Sequence, residues 1–167
     1  MELNSVTKLV ISIIACLAAG GSGTIFTFKA IPTWYAGLKK PPFTPPNRVF
    51  GPVWTTLYLL MGISVFLVWQ SGLANNNVFI AFTLFWIQLA FNAFWSMIFF
   101  GLKSKGGGVL TIIVLWLLIL ATLVTSFRVS GWAGALLTPY VVWVSIATYL
   151  NIGVWLLNKP TKRTPVK

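Results

Sequence analysis

The sequence predicts an all-α integral membrane protein, a bundle of five transmembrane helices joined by a Pro-rich cytoplasmic first loop. Three observations carry that fold class. First, residues 9–28, 49–102, 106–127 and 129–158 contain no Asp, Glu, Lys, Arg or His, and a helix crosses the bilayer core with about 20 mostly apolar residues. Second, the chain is 57% hydrophobic and 8% charged, with a mean hydropathy of +0.88, whereas in soluble domains about a quarter of residues are charged. Third, the apolar runs are continuous, while a membrane β-barrel would show short alternating segments separated by turns.

The first span is placed at 9–28. Its second half contains Ala18, Ala19, Gly20, Gly21, Ser22 and Gly23, small residues that let helices approach closely. Two readings stay open for them, packing within the bundle and a dimer contact. The run Ile13, Ile14, Ala15, Cys16 loosely imitates a cleavage site, but a cleaved leader would leave the basic segment that follows outside the cell, so the first helix is read as uncleaved.

The loop from Lys29 to Arg48 holds Trp34, Tyr35, Phe43 and prolines at 32, 41, 42, 45 and 46. Proline fixes φ and removes a donor, so the segment should be stiff and partly extended. It is read either as a lid over the cytoplasmic mouth of the bundle or as an interfacial loop drawn to anionic lipid by Lys39, Lys40 and Arg48. The two are compatible.

The stretch 49–102 is too long for one span, and Ser71, Gly72, Leu73, Ala74, Asn75, Asn76 and Asn77 mark a turn near its middle. Spans two and three are therefore placed at 49–70 and 78–101, the fourth at 108–127 and the fifth at 136–157. All of residues 1–167 form a single membrane domain. On one side of the membrane lie only Lys8 and Arg128, while the first loop, the third loop and the tail carry the other ten basic residues. Short basic loops stay cytoplasmic, so the amino terminus is expected outside and the first loop and carboxyl terminus in the cytoplasm. The net charge of +11 is then a matter of topology and lipid headgroups, and no nucleic-acid partner is expected.

Several helices carry polar or aromatic residues at helical spacing. Gln88, Asn92 and Ser96 recur every four residues beside Trp95, and lipid cannot satisfy their polar groups, so that face must turn inward. Trp54 and Tyr58 lie one turn apart in the second span, and Tyr140, Trp143, Ala147, Leu150, Asn151 and Val154 follow a three-and-four spacing in the fifth. Such faces suit a pocket for a large, flat, mostly apolar ligand. They suit interhelical hydrogen bonding as well, and for Gln88 and Asn92 alone that is the plainer reading. Trp34, Trp69, Trp132 and Trp155 fall near span ends and read as headgroup-belt residues.

Absences narrow the chemistry. The one acidic residue is Glu2 and there is no His, so acid–base pairs, catalytic triads and His or carboxylate metal sites are unavailable. No metal and no resident cofactor is expected. No span holds an ionisable residue of the kind that carries ions or protons. Gly106, Gly107 and Gly108 sit in no phosphate-loop pattern, and the single Cys16 offers neither a disulfide nor a thiolate cluster. Tryptophan remains, as a group able to quench or react with a photoexcited ligand.

The string Trp34, Tyr35, Ala36, Gly37, Leu38, Lys39, Lys40, Pro41, Pro42, Phe43, Thr44, Pro45, Pro46 resembles the first-loop signature of the tryptophan-rich sensory protein and translocator protein family, also called the TspO/MBR or peripheral benzodiazepine receptor family. The blocks Gly51 to Tyr58, Gln88 to Trp95, and Pro139 to Asn151 resemble it in the family's order. The resemblance implies a five-helix bundle, commonly a homodimer, that binds protoporphyrin IX and other tetrapyrroles, sterols or benzodiazepine-type ligands in a pocket closed by the first loop. By motif position it implies a ligand site of Tyr35, Trp54, Tyr58, Asn92, Trp95, Trp143, Ala147 and Leu150, to which the inward faces add Gln88 and Tyr140. Trp54 and Trp143 match tryptophans implicated in light-dependent porphyrin breakdown. Two departures stand out: Phe43 replaces the common first-loop Trp, and Ile152 and Leu156 replace the Tyr and the basic residue of the sterol-recognition pattern. The function expected is a membrane receptor or sensor for a tetrapyrrole. The alternatives are a light-dependent porphyrin-degrading enzyme and a transporter of porphyrin or sterol-like ligands.

Overall fold

The computed structural model describes residues 3–159, and every regular element among them is helical. Glu2 and the tail residues Lys162, Arg163 and Lys167, which enter the charge balance, lie outside the described residues. Helix α1 spans Ser5–Ala30, α2 Asn47–Gln70, α3 Asn76–Ser96, α4 Lys105–Val129 and α5 Gly131–Leu157, and single π-helical turns at Ile31–Tyr35 and Met97–Gly101 extend α1 and α3. All five are long and apolar enough to cross a membrane, so the protein is an integral, multi-pass membrane protein.

Four of the five helices, all but α2, which follows Pro46, begin where a side chain satisfies an open backbone donor of the first turn. Asn4 accepts from the Thr7 amide at 2.8 Å, Asn75 from Asn77 at 2.9 Å and Ser104 from Gly107 at 3.2 Å. At the other side of the membrane from the first loop, α2 and α3 are joined by residues 71–75, where Gly72 takes a left-handed φ of +89°.

Two connections differ from the sequence expectation. The first loop is shorter, residues 36–46, because the chain stays helical through Pro32, Trp34 and Tyr35. Proline removes an amide and its ring collides with the carbonyl four residues back; widening the turn to π geometry at Pro32 relieves both and lets the helix run on. Trp34 therefore sits on the helical extension of α1, half-buried, with its ring edge-on to Phe99 at 5.4 Å between centroids. The loop expected at 128–135 shrinks to Ser130. Its amide donates to the Ser126 carbonyl at 2.8 Å to end α4, its hydroxyl accepts from Ala133 to start α5, and a Cβ at Gly134 would overlap the Phe127 ring. The absent side chain is what allows so tight a corner.

Around the bundle the helices pack in the closed order α1, α2, α5, α4, α3 and back to α1. Close approach of α1 to α2 depends on Gly62, where a Cβ would lie 2.9 Å from the Ile13 Cα. The main core of Cys16, Met61, Val65, Phe85, Leu115, Tyr140 and Val144 fills the centre. A second cluster of Val68, Val78, Ala81 and Ala133 closes the end away from the first loop.

Candidate functional site

Polar side chains inside five apolar helices must satisfy one another, since lipid offers no partners. The four-residue spacing of Gln88 and Asn92 on α3 aims both at Tyr58 of α2 and Tyr140 of α5. The Tyr58 hydroxyl donates to Asn92 Oδ1 at 2.7 Å, Asn92 Nδ2 donates to the Tyr140 hydroxyl at 2.8 Å, and that hydroxyl donates to Gln88 Oε1 at 3.0 Å. All four residues are buried. One turn further along α3, Trp95 Nε1 donates to Asn151 Oδ1 at 3.2 Å, and Asn151 Nδ2 returns to the Ala147 carbonyl at 3.0 Å. Gln88 Nε2 and Trp143 Nε1 are buried without a partner.

On the first-loop side of this chain of hydrogen bonds lies a cavity of about 500 Å³ between α1, α2 and α3. Trp54, Tyr58, Asn92 and Trp95 line it together with Leu17, Gly20, Thr24, Phe50 and Ser96. The Trp54 and Tyr58 rings stack at 5.5 Å and 26°, and Trp54 meets the Tyr140 ring edge-on at 6.2 Å. Exposed Thr24, Phe28, Gly51 and Thr55 form its outer lip between α1 and α2. Gly20 makes the space: a Cβ there would overlap the Tyr58 ring, and one at Gly23 would lie 3.0 Å from Ser96 Oγ.

The expected site residues do not share one space. Tyr35, Ala147 and Leu150 line a small inner chamber of about 40 Å³ with Phe99, Asn151 and Val154, and this chamber shares Trp95, Phe50, Asn47, Ile31 and Phe100 with the cavity. Trp143 faces a separate outer groove of about 560 Å³ between α2 and α5, walled by Pro52, Thr56, Leu60, Pro139 and Val142. Gln88 and Tyr140 line none of these spaces and sit behind the cavity as its hydrogen-bonded backing. Phe50 stands at the junction, lining cavity and chamber while its ring meets Trp143 edge-on at 5.5 Å.

Sequence reasoning missed the α1 wall and Phe50. The signal for α1 was the Ala18 to Gly23 stretch, taken for helix packing, although Gly20 and Thr24 lie one turn apart on the cavity face. For Phe50 it was the four-residue series Phe50, Trp54, Tyr58 along α2. Chemically the cavity offers aromatic planes, the amides of Asn47 and Asn92 and the hydroxyls of Thr24, Thr27, Thr55, Tyr58 and Ser96. Neither it nor the chamber is lined by a carboxylate, imidazole or ammonium group. It can hold a flat, apolar molecule with a few polar edges.

Against known proteins, residues 12–156 match the model of the TspO/MBR family. The chain is 44% identical over 154 residues to the tryptophan-rich protein TspO of Archaeoglobus fulgidus, covering 92% of this chain and 99% of the relative. It is 37% identical to the tryptophan-rich sensory protein of Cereibacter sphaeroides, covering 84% and 87%. With the human translocator protein it shares 41% identity over 126 residues, 75% of each.

Proposed function

We propose, for a chain that belongs to the TspO/MBR family, a membrane receptor or sensor that takes a tetrapyrrole such as protoporphyrin IX into the cavity between α1, α2 and α3. The observation that carries this reading is the stacked Trp54 and Tyr58 pair on the wall of a 500 Å³ space, with Asn92 behind it. Ligand pockets of this kind run from about 300 to 1,000 Å³ and combine apolar walls with a few fixed polar groups. The names of two relatives, a sensory protein and a translocator protein, accord with ligand recognition. Tyr35, Ala147 and Leu150 enter as an inner subsite reached past Phe50 and Trp95, and Gln88 and Tyr140 as residues that hold Asn92 and Tyr58 in place.

The first loop and carboxyl terminus are assigned to the cytoplasm on the charge balance, and the cavity then lies in the cytoplasmic half of the bundle. A homodimer is the assembly we assign, to be tested by light scattering in detergent. Protoporphyrin IX titrated into the purified protein in the dark should quench tryptophan fluorescence saturably, and Trp54→Phe should weaken that binding. Quenching that never saturates, or is unchanged in the variant, overturns the assignment. Illumination in air addresses the enzymatic alternative, which the exposure of Trp54 to the cavity favours over Trp143. A new absorbing product that depends on Trp54 would make the protein a light-driven porphyrin-degrading enzyme.

A further inference from the structure

Among the described residues Phe43 is the most exposed large apolar side chain, at 95%, and it lines none of the three spaces. Its φ of +61° is a left-handed conformation that a bulky residue rarely adopts. The loop that holds it there is firmly placed. Asn158 clasps Lys39 on both sides, accepting from its amide at 3.0 Å and donating to its carbonyl at 2.8 Å. Pro41 is buried flush on Gly153, where a Cβ would come within 2.6 Å of the proline ring, and the Tyr149 hydroxyl donates to the Pro42 carbonyl at 3.2 Å. Residues 39–42 are thus seated against α5.

Depth follows from helix geometry. The 27 residues of α5 make a rod of about 40 Å at 1.5 Å per residue. A hydrocarbon core of about 30 Å leaves roughly 5 Å at each end of a centred helix. The boundary at the carboxyl end therefore falls near Gly153, the residue on which Pro41 rests. Exposed Trp155, with the Lys159 ammonium 4.4 Å from its ring centroid, marks the same level. Exposed Lys39 and Arg48 flank the segment in sequence, supplying positive charge where lipid headgroups begin.

We propose that Phe43 is a membrane-surface anchor: its ring enters the boundary between headgroups and acyl chains beside α5 and fixes the first loop against the bilayer. This stands apart from ligand binding, and its test needs no ligand. A nitroxide is attached to Phe43→Cys, and for comparison to Gly37→Cys, in a Cys16→Ala background. Each protein is placed in nanodiscs of phosphatidylcholine and phosphatidylglycerol. Lipid-soluble oxygen should relax the label at 43 more than a water-soluble nickel chelate does, with the reverse order at 37. Stronger relaxation by the chelate at 43 overturns the proposal, and so does dipolar broadening between labels, which would place a second copy of the chain over Phe43. Hydroxyl-radical footprinting reads the unmodified protein. Phenylalanine is intrinsically the more reactive residue, so oxidation of Phe43 below that of exposed Pro46 in the nanodisc supports the anchor, and oxidation above it refutes the anchor.

Discussion

Replacing Tyr140 by Phe removes one oxygen from the centre of the bundle and leaves the ring in place. That oxygen accepts from Asn92 and donates to Gln88, so its loss orphans a donor and an acceptor together, both buried. Hydrogen bonds between membrane helices are worth about 0.6 kcal/mol on average and at most about 1.7, which gives a destabilisation of about 1–3 kcal/mol for the pair. Tyr58→Phe breaks one bond, to Asn92, and should cost about half as much. Adding Gln88→Leu to Tyr140→Phe removes one orphan along with the unpartnered Gln88 Nε2, so the double variant should regain part of the loss. The assay is unfolding by sodium dodecyl sulfate from mixed micelles, followed by far-ultraviolet circular dichroism, for the wild type, both single Tyr variants, Gln88→Leu and the double variant. A Tyr140→Phe cost no larger than that of Tyr58→Phe, or strict additivity with Gln88→Leu, would show that the three helices are not joined through that hydroxyl.

Three further outcomes are expected. Trp54→Phe should weaken protoporphyrin binding by about 3- to 10-fold, the span of an aromatic stacking energy near 1 kcal/mol, and Trp143→Phe, which faces the outer groove, by less than about 2-fold; fluorescence titration of both variants checks the order. Gly20→Val should push the Tyr58 ring from its place, at an overpacking cost of about 1–3 kcal/mol, and cut ligand affinity by more than that of Gly21→Val, since a Cβ at Gly21 meets nothing within 4 Å; thermal melts and titrations separate the two effects. Asn158→Ala removes both bonds to Lys39 and should speed hydrogen exchange of the Lys39 amide about 5- to 30-fold, the change that goes with 1–2 kcal/mol, while helix amides such as that of Phe85 keep their protection.

Much of the architecture was legible because membranes make it so. Four gaps between charges, one of them split by the polar string 71–77, set out five spans, and the inward turn of Gln88 and Asn92 followed from the cost of an amide in lipid. The pairing of Trp54 with Tyr58 followed from one helical turn. Periodicity, however, fixes only which residues share a face of their own helix, and not which neighbour that face meets. That is why Trp143 and Tyr140 could be placed on one face of α5 while the structure turns one outward to a groove and the other into the core. The α1 wall was hidden for a different reason. Gly20 acts by having no side chain, and an absence has no apolar or polar signature until the Tyr58 ring opposite it is known. The helical course through Pro32 was likewise masked, because proline reads as a break unless the turn around it widens.

The hydrogen-bonded chain from Tyr58 to Gln88 also divides the bundle along its length, and that division weighs among the functional readings. On its first-loop side, Gly20, Thr24 and Phe50 leave open space with a lip between α1 and α2. On its other side Val68, Val78, Ala81 and Ala133 pack without solvent access, and the Ser64 hydroxyl ties α2 to the Ala133 carbonyl of α5 at 2.7 Å. A large flat ligand that entered from the first-loop side would meet a wall of paired amides and hydroxyls and then a closed apolar plug. Passage through the bundle would require breaking that polar chain in a medium with no water to replace its bonds, and separating α2 from α5 as well. A half-cavity closed on the far side accords with the proposed receptor reading. A transporter built on this frame would have to move its ligand along the outer lip of α1 and α2, in contact with lipid, and not through the centre.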